Sequence, residues 1–254
     1  MRLTSVILFL LKDIFRNRFT VLLIFLIPAV FYTVAWITFS ESPIFFILGS
    51  LKDKPVISVV QQQLGLVFIG LAATGLIASF IAMNLMQRNR MAKKRLLYCG
   101  LKTAKLIVAK LVIIIGINLV LGIYISALAC LLMDPQSVIG MAIGFCLCGF
   151  VYGCFGLLVG SLVNRELEGI LLIVLLANID VGWLQNPIYY ADAQHKFIIE
   201  YLPAFYPSQT AVCGAFTHYT IAAPVMYSLV YGMVFLVLSF VVFHFKMNTF
   251  RQSL

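Results

Sequence analysis

Six long apolar runs dominate this sequence and limit the folds open to it. A helix of about 20 apolar residues spans the roughly 30 Å hydrocarbon core of a bilayer. Hydrophobic residues make up 63% of the chain and charged residues only 11%, which excludes a soluble enzyme, a disordered tail and a disulfide-stapled secreted module. We therefore expect an all-α integral membrane protein in which residues 1–254 form one domain. The predicted spans lie near residues 19–39, 64–86, 107–132, 137–163, 169–185 and 221–245.

The basic residues predict the orientation of these spans. Most of the 18 lysines and arginines lie before the first span, between the second and third spans, or near the C-terminus. The opposite side carries only Lys52, Lys54 and Lys196. Because cytoplasmic loops are enriched in lysine and arginine, we expect a multi-pass protein of the cell membrane with both termini cytoplasmic. The charge of +9 then reflects topology, and we expect no nucleic-acid partner.

Residues 1–18 are predicted to form an interfacial helix ahead of the first span. Apolar residues at positions 3, 7, 10, 11 and 14 fall on one helical face. Lys12 and Asp13 would be costly to bury in hydrocarbon, which favours this helix over a plain extension of the first span. The charged residues of the segment, which we expect at the lipid headgroups, are Lys12, Asp13, Arg16 and Arg18.

The segment between the second and third spans is longer and more basic than a simple connection requires. It is either a solvated basic loop near anionic lipid or a docking helix for a cytoplasmic partner. The side chains that would carry such docking are Arg88, Arg90, Lys93, Lys94, Arg95 and Leu97.

The fourth span carries a stripe of glycines. Gly149, Gly153, Gly156 and Gly160 fall on one side of a helix, where the absence of side chains lets another helix approach closely. The stripe predicts close packing, either within the subunit or at a subunit interface.

The outer loop of residues 186–220 is unusually apolar and interrupted by prolines. Such a loop is expected to re-enter the bilayer as short broken helices, because irregular backbone at that depth must lie against protein or a water-filled cavity. It would then form an outer gate; the alternative is a folded cap with an ordinary belt of interfacial aromatics. The gate residues within it would be Pro203, Phe205, Tyr206 and Pro207.

Asp180 is the one clear acid within a predicted span, and Asn178 lies beside it. An ionisable residue at depth in a membrane indicates function. The alternative is that Asp180 lies at the outer end of a short fifth helix and reaches water.

The chain lacks the motifs of a catalytic or cofactor site. It has no G-x-x-x-x-G-K-[ST], no H-E-x-x-H and no G-x-S-x-G, and none of its six cysteines forms a C-x-x-C pair. We expect no catalytic residue, no metal and no cofactor on this chain.

Taken together, these segments resemble the membrane subunit of an ABC-2-type ABC transporter over nearly the whole chain. The resemblance rests on LLKDIFRNRFTVLLIFLIPAVF (10–31), on RLLYCGLKTAKLIVAK (95–110), and on NIDVGWLQNPIYY and EYLPAFYPSQTAV before the last span. It implies a six-helix ABC-2 permease fold of the type V exporter kind. It also implies pairing with a second permease, identical or paralogous, and separate ATP-binding subunits that hold Mg-ATP.

The resemblance also implies roles for the cytoplasmic segments. The basic segment after the second span would be the main coupling helix, and Arg165, Glu166 and Glu168 a secondary contact with the ATPase. Where family members often carry acids and a glycine, this chain has Gln87, Asn89 and Ala92. We expect Asp13, Glu166 or Glu168 to make the charged contact instead.

The resemblance further implies export of a hydrophobic or amphipathic cargo, such as a drug, an antibiotic, a lipid-like molecule or a peptide of the bacteriocin kind. Two other functions remain open: an ion-coupled secondary transporter that uses Asp180, and an assembly subunit without cargo. The first would need an internal repeat and coupling residues within the spans.

Overall fold

The computed structural model describes residues 3–16, 18–50, 54–87, 103–186 and 196–252. About 81% of the described residues are helical. In chain order its elements are α1 (Leu3–Phe15), α2 (Arg18–Thr38), β1 (Pro43–Ile47), β2 (Val56–Val60), α3 (Gln61–Gln87), α4 (Thr103–Leu132), α5 (Val138–Leu162), α6 (Glu166–Ala177), a π-helical continuation of α6 (Asn178–Leu184, the π segment), α7 (Lys196–Glu200), α8 (Phe205–Phe216) and α9 (Ala222–Gln252).

Six of the described helices are long and apolar enough to cross a membrane, which confirms the predicted helical membrane protein. They are α2, α3, α4, α5, α6 with its π segment, and α9. The fifth differs from a regular span, because its last seven residues widen into the π segment.

The N-terminal segment forms a helix separate from the first span, as predicted. One side of α1 packs on α4, with Val6 and Leu10 buried. Lys12 and Arg16 are exposed on the other side, but the exposed Phe9 lies there too. The polar side of α1 is therefore less uniformly polar than predicted.

Helix α5 lies at the centre of the bundle, and its glycines set how closely the other helices approach. A Cβ on Gly156 would overlap the backbone oxygen of Ser79 in α3, and one on Gly144 would lie 2.5 Å from the backbone of Ala211 in α8. The glycines therefore pack inside the subunit. Of the two predicted roles for the stripe, the described structure shows packing within the chain.

The expectation of an exclusively helical chain is wrong at one place, the connection between α2 and α3. Strands β1 and β2 pair there as an antiparallel hairpin, from Pro43 opposite Val60 to Ile47 opposite Val56. Lys54, two residues before β2, has a φ of 41°, a left-handed conformation that is uncommon for a residue other than glycine. Each strand has only five residues, too short to register as a membrane span.

The C-terminal end of α5 is bound by a lysine from the last helix. The Lys246 ammonium donates to the carbonyl oxygens of Ser161 and Leu162 at 3.0 and 3.3 Å. The last carbonyls of a helix have no partner within the helix and favour a nearby cation. This contact ties α9 to the central helix.

The glycine packing on α5 yields a first prediction. Gly156→Ala should destabilise the protein by about 1–3 kcal/mol, because the new methyl group overlaps backbone that cannot move aside cheaply. The matched change Gly116→Ala in α4 should be neutral or slightly stabilising, because a Cβ at Gly116 meets nothing within 4 Å. Thermal unfolding of the two purified variants in one detergent measures the difference, and equal melting temperatures would contradict the packing described.

Candidate functional site

Asp180 lies in the π segment and has no exposed surface. The interpretation in which Asp180 reaches water at the outer end of the fifth helix is therefore wrong. The neighbouring Asn178 is exposed and does not join Asp180 in a site. Among the described residues, none of the ion pairs includes Asp180.

Three hydrogen-bond donors from different parts of the fold converge on the Asp180 carboxyl group. The Tyr152 hydroxyl of α5 donates at 2.6 Å, and the Ala204 backbone N–H donates at 2.8 Å. The Gln185 side-chain amide donates at 3.2 Å. Because a buried carboxyl group needs such donors, this set explains how Asp180 is accommodated.

The bond to Ala204 gives Asp180 a structural role. Ala204 is the residue at which α8 begins, and its own side chain cannot cap a helix. Asp180 therefore acts as an N-terminal cap supplied from another helix, and a carboxyl group is favourable near the positive end of the helix dipole.

Gln185 extends this network to α7 and α8. Its amide also donates to the Ile199 carbonyl oxygen at 3.4 Å, and its own oxygen accepts from the Ser208 hydroxyl at 3.5 Å. We call Asp180, Tyr152, Gln185 and Ser208 the anchor cluster. Its members are all buried.

The anchor cluster lies deep within the bundle. Tyr152 comes 14 residues after Val138, the first residue of α5, which is about 21 Å along a helix axis. From there α8 runs back along α5 to its start, where the N–H groups of Gln136 and Ser137 donate to the Ala215 and Gly214 carbonyl oxygens, both at 2.9 Å. Helix α8 thus covers the half of α5 on its predicted outer side.

The predicted gate residues divide between two neighbourhoods. Phe205 is buried, and Pro203 and Pro207 are buried at either side of it. Tyr206 points the other way, toward α9, where its ring stacks on Tyr227 with the ring centres 4.7 Å apart. The gate segment is therefore held between α5 and α9.

A cavity of about 200 Å³ lies beside the π segment rather than at Asp180 itself. Val181 and Gly182 form one wall, and residues from Gln61 to Ala72 of α3 form the other. Phe39, at the end of α2, closes one side. The second and fifth spans therefore bound an apolar space on the side of the bundle that is predicted to face outward.

The β-hairpin covers the outer loop, a feature that sequence reasoning missed. Lys54 forms an ion pair with Glu200 of α7 at 3.2 Å, and the Ser50 hydroxyl lies 3.5 Å from the Gln209 side-chain oxygen in α8. The anchor residues Tyr152, Gln185 and Ser208 were also missed. One signal was present, since Tyr152 is a lone tyrosine in the glycine-rich fourth span.

Most of the predicted ATPase contacts cannot be placed. Arg88, Arg90, Lys93, Lys94, Arg95 and Leu97 lie outside the described residues. Arg165 immediately precedes α6, and Glu166 and Glu168 lie in its first turn. All three are exposed, with Arg165 and Glu168 3.9 Å apart. Asp13 pairs with Arg16 at 3.5 Å, and Lys12 and Arg18 are exposed.

In the described part of the chain, no group of three or more histidine, cysteine, aspartate or glutamate side chains is placed to hold a metal ion.

The anchor cluster yields a second prediction. Cys213 in α8 is fully buried, so a maleimide that cannot cross membranes should not label it. Tyr152→Phe removes one donor to the carboxyl group, a bond worth about 1.5–3 kcal/mol, and should raise the labelling rate of Cys213 at least about tenfold. Asp180→Ala removes the acceptor and should raise the rate further.

The labelling is measured in membranes, in a chain whose other cysteines are replaced by alanine. Asp134→Asn is the matched control, because Asp134 is an exposed acid on the predicted outer side. Unchanged labelling in both Tyr152→Phe and Asp180→Ala would show that the cluster does not hold α8 in place.

No model of a known protein family matches this chain, and no curated protein matches its sequence.

Proposed function

We propose that this chain is the membrane-spanning subunit of an ATP-driven exporter of the ABC-2 type. With a second permease it would form a path for a hydrophobic or amphipathic cargo, while separate ATP-binding subunits hydrolyse ATP. The observation that supports this most is the apolar cavity bounded by α3 and the π segment, the second and fifth spans. This cavity lies beside the π segment, and none of its lining residues is titratable.

The described packing supports a mechanism of rigid levers. Helix α8 is linked to α5 at both ends, through Asp180 at its start and through Gln136 and Ser137 at its end, so these two helices move together. ATP-driven closure of the partner subunits would push the cytoplasmic segments. A path lined by α3 and α6 would then open outward between the two permeases. Cargo affinity must differ between the inward and outward states, because otherwise ATP hydrolysis would move nothing.

The cavity lining favours the proposed cargo class. Leu64, Phe68, Ile69 and Ala72 contribute apolar surface, and Gln61 supplies a polar group at one end. Such a lining suits a drug, an antibiotic, a lipid-like molecule or an amphipathic peptide better than a sugar chain, which needs many hydrogen-bond partners.

A third prediction tests the cavity as part of the cargo path. A Cβ on Gly182 meets only ordinary contacts, at 3.7 Å or more, so a larger side chain fits there without moving the backbone. Gly182→Leu should reduce efflux of an amphipathic fluorescent dye severalfold, because it fills the cavity, and Gly182→Ala should not. Dye efflux is measured in cells at equal membrane levels of each variant. Unreduced dye efflux in the Gly182→Leu variant would show that the cavity is not part of the cargo path.

A fourth prediction concerns the ATPase. Purification of the tagged chain from its native membrane in mild detergent should recover a soluble P-loop ATPase, identified by mass spectrometry. Replacing Arg90, Lys93 and Lys94 together with alanine should abolish that recovery or uncouple ATP hydrolysis from efflux, because these cations would supply the docking charge. Arg251→Ala, a basic residue elsewhere on the cytoplasmic side, is the control.

The ion-coupled alternative makes the opposite prediction. A proton-coupled secondary transporter would stop transporting cargo when a protonophore collapses the proton gradient of ATP-supplied vesicles. Its transport would continue in the presence of vanadate, which inhibits ABC-type ATPases. The exporter proposed here should stop in vanadate and continue with the protonophore. Absence of any ATPase, together with protonophore sensitivity, would assign transport to ion coupling.

A further inference from the structure

A second cavity, of about 380 Å³, lies where α1, α2, α3 and α4 meet. Every residue that lines it is apolar, including Ile7 and Leu11 from α1, Ile24 from α2, Ile81 from α3 and Ile117 from α4. Its volume falls within the roughly 300–1,000 Å³ of small-molecule sites. An entirely apolar lining offers no hydrogen bond, so the occupant of such a pocket must be a hydrocarbon.

The pocket opens sideways on the face of α4. Gly116 lies in its wall, is exposed, and would carry a Cβ with nothing within 4 Å. Val112 and Val120, one turn to either side, are 45% and 55% exposed. A chain entering at Gly116 would therefore come from the bilayer and not from water.

Cationic groups lie close to one end of the pocket. Lys12 follows the lining residue Leu11, and Arg16 follows the lining residue Phe15. Both are exposed, as is Arg18 at the start of α2. Asp13 neutralises part of this charge by its ion pair with Arg16, which leaves Lys12 and Arg18 as the principal cations.

We propose that this pocket holds one acyl chain of an anionic phospholipid from the cytoplasmic leaflet. The chain occupies the space beside Gly116, and the phosphate lies near Lys12 and Arg18. The choice of an anionic lipid rests on charge complementarity, since basic residues near the surface attract anionic headgroups. This site is separate from the cavity beside the π segment and needs neither cargo nor ATP.

The test uses the full chain in nanodiscs that contain a trace of photoreactive phosphatidylglycerol, with a diazirine midway along one acyl chain. Parallel nanodiscs contain phosphatidylcholine with the same diazirine. Mass spectrometry of the irradiated protein should place the phosphatidylglycerol label within residues 7–15, 21–25 and 112–121, above the labelling of the exposed helix α9.

Two pairs of variants make the test specific. Gly116→Leu should abolish the preferential labelling, because the new side chain occupies the pocket, and Gly116→Ala should retain it. Replacing Lys12 and Arg18 with alanine should lower labelling by phosphatidylglycerol about fivefold for each charge removed and leave phosphatidylcholine labelling unchanged.

Three results would overturn the proposal. The first is labelling spread evenly over all lipid-exposed helices, and the second is labelling that Gly116→Leu does not reduce. The third is equal labelling by the two lipids, because the pocket would then take up any lipid chain without using the charges.

Discussion

A helix buried at both ends must find partners for its terminal N–H and C=O groups, and α8 meets part of this requirement through other elements. Asp180 accepts from the N–H of Ala204 at one end, and the N–H groups of Gln136 and Ser137 pair with carbonyls at the other. In hydrocarbon each unpaired group would cost several kcal/mol, so these contacts decide whether the outer loop can be re-entrant at all. They also bind α5, α8 and the π segment into one unit.

The glycines of α5 make that unit compact. Helix α3 approaches one side of α5 at Gly156, and α8 approaches another at Gly144. By contrast, the first and last spans each bury only 17% of their apolar window. Their outward side chains are left to contact lipid or, in the proposed exporter, the second permease. In any conformational change, α5, α8 and the π segment should therefore move as one rigid body. The peripheral helices α2 and α9 can exchange the surfaces that they contact.

Length and hydropathy were enough to predict the six helices, because a span needs only a sufficient apolar run. Local composition also predicted short helices in the outer loop, and α7 and α8 are such helices. Re-entry of this loop into the bilayer stays a prediction. The anchor cluster could not be predicted from local composition. Asp180 and Tyr152 lie 28 residues apart and meet only through the packing of α5 against the fifth helix. One of the two interpretations of Asp180 placed it near the outer surface, because the apolar run ends soon after it. Helix α8 runs from Asp180 to the start of α5. The end of the apolar run in the fifth helix is therefore not the end of the helical bundle. The β-hairpin escaped prediction because its two five-residue strands are stabilised by each other and by contacts with α7 and α8.

Helix α3 connects the two cavities, and this limits the route of cargo in the proposed exporter. Its residues up to Ala72 line the cavity beside the π segment. Ile81, about 14 Å further along the helix axis, lines the cavity where α1, α2, α3 and α4 meet. The side of α3 at Ser79 is closed, because it lies against α5 at Gly156. Cargo that passes from the level of Ile81 to the cavity beside the π segment would therefore have to move along a face of α3 that α5 does not cover. A second permease would have to supply the opposite wall, and transport by the proposed mechanism therefore requires the dimer.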